Sequence, residues 1–399
     1  MAPRLRSAVM RFDALPEPVM RVLFLALPVD ERARAACVCR SWRAFLADVS
    51  LWQVLDLTPA GGVAAERVTE NLVRCAVRRA AGQLRELSTR ALSIALLVAV
   101  FRSDGAELQQ VSTDRWLPIQ ELEAVLAAAP RLQLLSTGVS GASTDLLPVL
   151  RNDPPYGPLR VSVLETFDFD RPPAAVLVAL AAAIAAHESL DGLQLVEGHF
   201  ARGLNALVDA AAQRRVSFLS IGFGCTLDAE SVHALARVLQ RGSLTKLQVY
   251  CPDFPPAQEE SWPVLCAALR ACPTLTQLNL RLEPLDEISR HDFTELVDAA
   301  AALPALSPLD LWRTDLEDPE DAGHALGRLL RANLPSLRTL NVYACGLGDE
   351  GLAPLLDGLT ANTHLRELDC RNNDLSEEFK QDRLDPALAE LAARGEHDA

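Results

Sequence analysis

Residues 337–352 read Leu-Arg-Thr-Leu-Asn-Val-Tyr-Ala-Cys-Gly-Leu-Gly-Asp-Glu-Gly-Leu, and residues 365–375 answer with Leu-Arg-Glu-Leu-Asp-Cys-Arg-Asn-Asn-Asp-Leu. Both open on the spacing L-x-x-L-x-L, with Val342 and Cys370 in its last place. Moving toward the N-terminus, the same spacing recurs as Leu306–Leu311, Leu275–Leu280, Leu244–Val249 and Leu190–Leu195. Weaker copies open at Val216 and Leu164. From Leu164 onward the start-to-start intervals are 26, 26, 28, 31, 31, 31 and 28 residues. Further upstream, Leu84, Leu108 and Leu132 each open a block that ends in Ser-Thr. A recurrence in the twenties to low thirties means stacked structural repeats.

The alternation inside each copy explains the period. The last two apolar residues point one way and the residue between them the other, so each copy makes a short strand with one buried face. Between strands lie stretches with apolar residues at i, i+3, i+4 and i+7, such as Val232, Leu235, Ala236 and Leu239. They predict helices over 231–240, 263–271, 293–302 and 323–332. One strand and one helix cannot bury both apolar faces, but stacked copies can. Eight residues after the opening leucine, Thr314, Cys345 and Asn373 occupy the place where a polar side chain satisfies the loop backbone. The spacing is similar to that of leucine-rich repeats, and the block 341–375 resembles their ribonuclease-inhibitor class. The fold class expected is α/β, a curved solenoid with parallel strands inside and helices outside. Pro386–Ala393 predicts a short helix closing its end.

Residues 12–52 differ in kind: FDALPEPVMRVLFLALPVDERARAACVCRSWRAFLADVSLW. Leu15-Pro16 opens a helix, with Pro18 in the first turn, where a missing N–H costs little. Asp30 is a candidate cap for a second helix, and a third starts near Ser41 with Trp42, Phe45 and Leu46. On composition alone these helices could be a cap on the solenoid. Four ordered parts are more specific: Leu15-Pro16, Asp30–Arg34, Val38-Cys39-Arg40-Ser41-Trp42-Arg43 and Leu51-Trp52. Together they resemble the F-box, although Pro18 stands near where that family has Glu. The resemblance implies binding to a Skp-type adaptor and through it a cullin scaffold, with Leu15, Pro16, Val19, Leu23, Val38, Trp42 and Trp52 forming or supporting the interface. The organisation expected is a leader at 1–12, an F-box at 13–57, a connecting first-repeat helix at 58–83, the solenoid at 84–375 and a cap at 376–399. The connecting helix is expected over Ala65–Ala80, with no long linker.

Bulk properties narrow the function. The net charge is −15, and beyond residue 57 there are 30 basic against 47 acidic residues. Such a body is unsuited to a phosphate backbone, so no nucleic-acid partner is expected. The apolar runs Ala91–Phe101 and Ala174–Ala186 are shorter than the ~20 residues of a bilayer span, and no membrane partner is expected. Arg4, Arg6 and Arg11 precede the first acid, and the leader is read as plain sequence. Nine cysteines without a regular framework read as reduced thiols of a cytoplasmic or nuclear protein. Cys37 and Cys39 are too close for a zinc knuckle, and Cys266 and Cys272 lack a second pair, so no metal or other cofactor is expected.

Gly346-Leu-Gly348-Asp-Glu-Gly351 matches G-x-G-x-x-G, but Asp349 and Glu350 would repel a pyrophosphate at the helix N-terminus. Five histidines (187, 233, 291, 324 and 364) fall on outer helices or loops. No nucleophile, base and orienter are brought together, so no catalytic residue is expected. The outward column after each strand reads Tyr250, Arg281, Trp312, Tyr343 and Arg371, residue types that anchor protein interfaces. Lys246, Gln277, Asn279, Asp310, Asn341 and Asp369 stand beside it. The sequence therefore reads as a non-catalytic substrate receptor of a Skp-cullin-F-box ubiquitin ligase, holding an unidentified target on its concave face. The acidic body favours a target with basic residues, while the arginines would also accept a carboxylate or phosphate. The alternative is a leucine-rich-repeat scaffold or GTPase regulator with no ubiquitin-ligase role.

Overall fold

The computed structural model describes residues 15–57, 70–89, 108–128, 132, 134–151, 153, 159–167, 173–196, 203–222, 225, 227–251, 261–282, 289–314 and 316–396. The leader, the run Ala91–Phe101 and the start of the helix expected from Ala65 lie outside them. The chain divides into two compact units: Met1–Val139 with Asn152–Val161, and Ser140–Arg151 with Ser162–Ala399.

The first unit opens with α1 (Glu17–Leu25), α2 (Val29–Ala35) and α3 (Arg40–Phe45). A 3₁₀ turn at Val49–Trp52 leads into β1 (Val54–Leu57) after one residue. Helix α4 (Glu70–Ala80) packs on that turn and on α2, so the three-helix module and the first repeat share one core. Strands β2 (Glu86–Thr89) and β3 (Gln110–Pro118) continue a parallel ladder, Leu55 facing Leu87 and Leu87 facing Val111. The Ser-Thr ending of the early copies puts a threonine where later repeats bury an aliphatic side chain: Thr89, Thr113 and Thr137 are all buried. Helix α5 (Ile119–Ala128) follows β3, and β4 (Leu134–Gly141) comes next.

The second unit carries the clearer repeats. Helix α6 (Ser143–Leu150) is followed by β5 (Leu159–Phe167), α7 (Ala174–Ala186), β6 (Gly192–Val196), α8 (Leu204–Arg214), β7 (Phe218–Ile221) and α9 (Ala229–Gln240). Then come β8 (Lys246–Cys251), α10 (Ser261–Arg270), β9 (Gln277–Leu282), α11 (Arg290–Ala301), β10 (Leu309–Asp310), α12 (Pro319–Arg331), β11 (Thr339–Asn341), α13 (Gly348–Ala361) and β12 (Glu367–Asp369). Strands β5 to β12 pair in order and in parallel, and their central leucines form one register: 164, 193, 219, 247, 278, 309, 340 and 368. That register corrects one expectation. Leu164 is the second leucine of its copy, not the first, and the copy opens at the buried Val161.

Helices α9, α11 and α12 begin two to four residues before the apolar periodicity does. Asp228, Ser289 and Asp318 cap them by accepting the backbone N–H of Ser231, Asp292 and Asp321 at 2.8, 3.2 and 3.1 Å. Between α12 and α13 the backbones touch through glycines: a Cβ at Gly323 would land on the Gly351 carbonyl, and one at Gly358 on Gly327. The chain ends in a short helix, α14 (Glu377–Phe379), a π turn at Lys380–Leu384 and α15 (Asp385–Glu396), which includes the expected closing helix. No helix among the described residues is long and apolar enough to cross a membrane.

Candidate functional site

Helix α1 is apolar on both sides, and only one side is used internally. Met20 and Phe24 are buried, while Val19, Val22, Leu23 and Leu25 are 43, 67, 40 and 48 % exposed. Val38, before α3, is 65 % exposed. Trp42 is half-buried and meets the Phe24 ring edge-on at 5.4 Å, with Phe45 on Phe24 at 5.5 Å. Pro16 is exposed and Leu15 half-buried at the helix entry. These side chains leave an apolar surface uncovered on a small module, the mark of a docking face. Val22 and Leu25 belong to this surface although the motif does not single them out.

Two expectations for the module change. Trp52, named with the interface residues, is fully buried. Its Nε1 donates to the Leu46 carbonyl at 2.9 Å and the Arg79 guanidinium lies 4.9 Å from its ring, so it supports the fold from inside. Asp30 is no cap: α2 starts after Pro28, and Asp30 pairs with Arg34 at 2.7 Å.

The residue that organises the module is Arg32, which the sequence marks only as part of the middle motif. Its buried guanidinium donates to the carbonyls of Phe24 at 3.0 Å, Leu25 and Leu27 at 3.1 Å each, and Leu51. Three of these acceptors are at or just past the end of α1, where helix carbonyls run short of partners, and of the three Phe24 also accepts the Leu27 N–H, at 3.3 Å. Burial pushes the Arg32 pKa down from its usual value. One cation thus ties α1, α2 and the turn before β1 together.

The second candidate surface is the strand face of the second unit. The inward leucines are buried, and the outward positions form three columns set by the register. The Tyr250 and Trp312 rings meet edge-on at 6.4 Å, and Arg281, facing Tyr250 in register and only 8 % exposed, lies 4.3 Å from the indole centre. Arg313 approaches the same ring at 5.8 Å, and Arg371 lies 5.7 Å from Tyr343. These ring and cation–π contacts join Tyr250, Arg281 and Trp312 into one cluster and pair Tyr343 with Arg371 in a second.

Short polar residues in the adjoining column fix its backbone. Asp310 accepts the N–H of Trp312 at 3.3 Å, Asn341 that of Tyr343 at 2.9 Å, and Asp369 that of Arg371 at 3.2 Å. The same Asx turn therefore closes three successive strands. Asn279 donates to both the Tyr250 hydroxyl and the Asp310 carboxylate at 3.0 Å. Burial raises the Tyr250 pKa, and Asp310 adds to the rise. Burial likewise raises that of Asp310, with Asp369 adding and the Trp312 N–H opposing. Asp369 moves the other way, because the Arg371 side chain holds it in a two-point pair.

The loop positions serve structure. Asn373 accepts the N–H groups of Cys345 and Leu347 at 3.0 and 3.1 Å and donates to Val342 and Cys370 carbonyls at 2.8 and 2.9 Å. The Cys345 thiol donates to the Leu311 carbonyl at 3.1 Å. Thr314 is buried, and its hydroxyl finds no partner among the described residues. Burial pushes the Cys266 thiol up to about 12 and Cys370 up to about 11, far from thiolate chemistry at neutral pH. In the glycine motif, Gly346 and Gly348 take left-handed turns, and the Asp349 carboxylate at the start of α13 binds the N–H of Ser376 at 3.0 Å. Gly351 sits against the Pro319 carbonyl, so these glycines serve a turn and a close helix contact.

Residues 12–58 match the family model F-box-like. None of the curated proteins matches the chain. Among solved structures, a chain of the crystal structure of the Rad7 and Elc1 complex in yeast is 16 % identical, with 87 % of this chain and 80 % of that chain covered and a TM-score of 0.38.

Proposed function

We propose that this chain is the substrate-recognition subunit of a Skp-cullin-F-box ubiquitin ligase, with leucine-rich repeats as its target-binding part. The observation that carries the reading is the uncovered apolar surface of Val19, Val22, Leu23, Leu25 and Val38 on a module of the F-box-like family. An apolar face of that kind is stabilised by a docked partner, and a Skp-type adaptor linked to a cullin is the partner that such modules take. In this role the chain performs no chemistry, works in the cytoplasm or nucleus, and holds its target on the column Tyr250, Arg281, Trp312, Tyr343 and Arg371. Trp312 and Tyr343 are the expected anchors, each held by an Asx turn before any target arrives.

The test uses one co-expression experiment with two variants. Val19→Asp with Leu23→Asp places charge on exposed positions and should abolish co-purification with the adaptor while the fold persists. Trp312→Ala with Tyr343→Ala should keep the adaptor and release the target. Adaptor recovery that is unchanged in the first variant would refute the receptor role.

A further inference from the structure

The central outward column of the second unit runs Glu165, Gln194, Ser220, Gln248, Asn279, Asp310, Asn341 and Asp369 across eight paired strands. Five members are neutral and three are acids. Asp369 is neutralised by Arg371. The other two have only neutral partners among the described residues. Glu165 accepts from the Gln194 amide at 3.4 Å, and Asp310 from the Asn279 amide and the Trp312 N–H. The Arg281 and Arg313 guanidiniums lie against the indole, at 4.3 and 5.8 Å, and no ion pair to Asp310 is present among the described residues. Both acids are half-buried, and burial raises the pKa of each. A half-buried carboxylate without a cation costs free energy, which an incoming cation recovers.

The surroundings of Asp310 define what that cation is. Tyr250 and Trp312 are bridged to it, the first through Asn279 and the second through its own N–H. Aromatic rings beside a carboxylate favour a cation that carries an apolar stem, which is the chemistry of lysine and arginine side chains. Resting on the reading of this face as the target surface, we propose that an extended target segment crosses the strands with a lysine or arginine seated on Asp310 beside Tyr250 and Trp312, and a second basic residue on Glu165. Five strand intervals separate the two acids, roughly 24 Å at ~4.8 Å each. An extended chain covers that distance in about seven residues at ~3.3 Å per residue, so the two basic residues stand about seven apart.

The experiment selects random dodecapeptides displayed on phage against the purified full-length chain, resynthesises the enriched ones and measures their affinities by fluorescence polarisation. Four proteins are compared: wild type, Asp310→Asn, Glu165→Gln, and Trp312→Ala with Tyr343→Ala. Asp310→Asn keeps the acceptor for the Trp312 N–H and loses the one for the Asn279 amide, so it should stay folded with a slightly lower melting temperature. Enriched peptides should carry Lys or Arg, lose binding to the aromatic double variant, and bind Asp310→Asn at least about tenfold more weakly. Those with a second basic residue about seven positions away should also weaken on Glu165→Gln. Peptides that need Trp312 and Tyr343 but are acidic, or that bind Asp310→Asn as well as wild type, overturn the basic seat and leave the face as a target surface. No enrichment, or peptides indifferent to the aromatic double variant, overturns both.

Discussion

Replacing Arg32 by methionine should loosen residues 17–52 while sparing the later repeats. The substitution keeps most of the apolar stem and removes four hydrogen bonds donated by a buried guanidinium. The bonds to Phe24 and Leu51 are buried, whereas those to Leu25 and Leu27 are partly exposed and can be replaced by water. The Phe24 carbonyl keeps the Leu27 N–H at 3.3 Å, so the Leu51 carbonyl is the buried acceptor left unpaired, which costs about 1–3 kcal/mol. Loss of the charged bond to Phe24 adds to this and relief from desolvating the guanidinium offsets it, leaving a net loss of about 1–3 kcal/mol. For three short helices, whose own core is small, that is a large share of local stability. Hydrogen exchange read by mass spectrometry gives the local value directly: amides of 17–52 should exchange about fivefold faster or more, while those of 289–314 and 316–361 hold their protection. Arg32→Lys should rescue little, because an ammonium cannot reach four carbonyls with one planar fork. Equal protection in the wild type and the methionine variant would refute the view that one cation holds the module together.

Gly323→Ala sets two effects of opposite sign against each other. Helix propensity favours alanine by about 1 kcal/mol, whereas a Cβ there meets the Gly351 carbonyl, and overpacking costs about 1–3 kcal/mol or more. A lower urea midpoint for the second unit is expected, and a raised midpoint would mean that the backbones part at no cost. His187 makes stability depend on pH. Burial, with Arg214 adding, lowers its folded pKa below its unfolded value, so the unfolded chain takes up the proton first as pH falls. Its contribution is complete above the unfolded pKa of about 6.5 and is lost as pH falls from there toward the lower folded pKa. Chemical denaturation of wild type and His187→Gln between pH 7.5 and 5 should show the shallower decline in the variant, and parallel curves would exclude His187 as the cause.

The repeat was legible from 190 onward because leucine spacing reports burial directly, one strand at a time. It misled at Leu164, where Val161 opens the copy and Thr166 closes it, so the usual leucine was missing from both outer places. Helix starts came out late because Asp228, Ser289 and Asp318 act through their carboxylate or hydroxyl, which apolar periodicity does not register. The outward column could be read because the strand period is two, and ring and guanidinium contacts join its members in two groups, Tyr250 with Arg281 and Trp312, and Tyr343 with Arg371. Three features were out of reach. Arg32 looks like any helix-surface arginine until the end of α1 is placed beside it. Trp52 looks like a partner-facing tryptophan until Leu46 and Arg79 close over it. The glycines of α12 and α13 look like weak helix residues until the two backbones are seen in contact.

The Asx turns that close β10, β11 and β12 separate two kinds of position along the same strand. The leucines decide whether the chain folds, and the short polar residue decides where the backbone of the next outward residue points. What side chain that outward residue carries is then nearly free of both demands. Trp312, Tyr343 and Arg371 share one backbone device while differing entirely in chemistry. If this face is the target surface, as proposed, a change at one of these places alters what it attracts and leaves the repeat intact, so recognition can be rewritten one strand at a time. Because the backbone at these places is already fixed, a partner meets it with little main-chain ordering left to do.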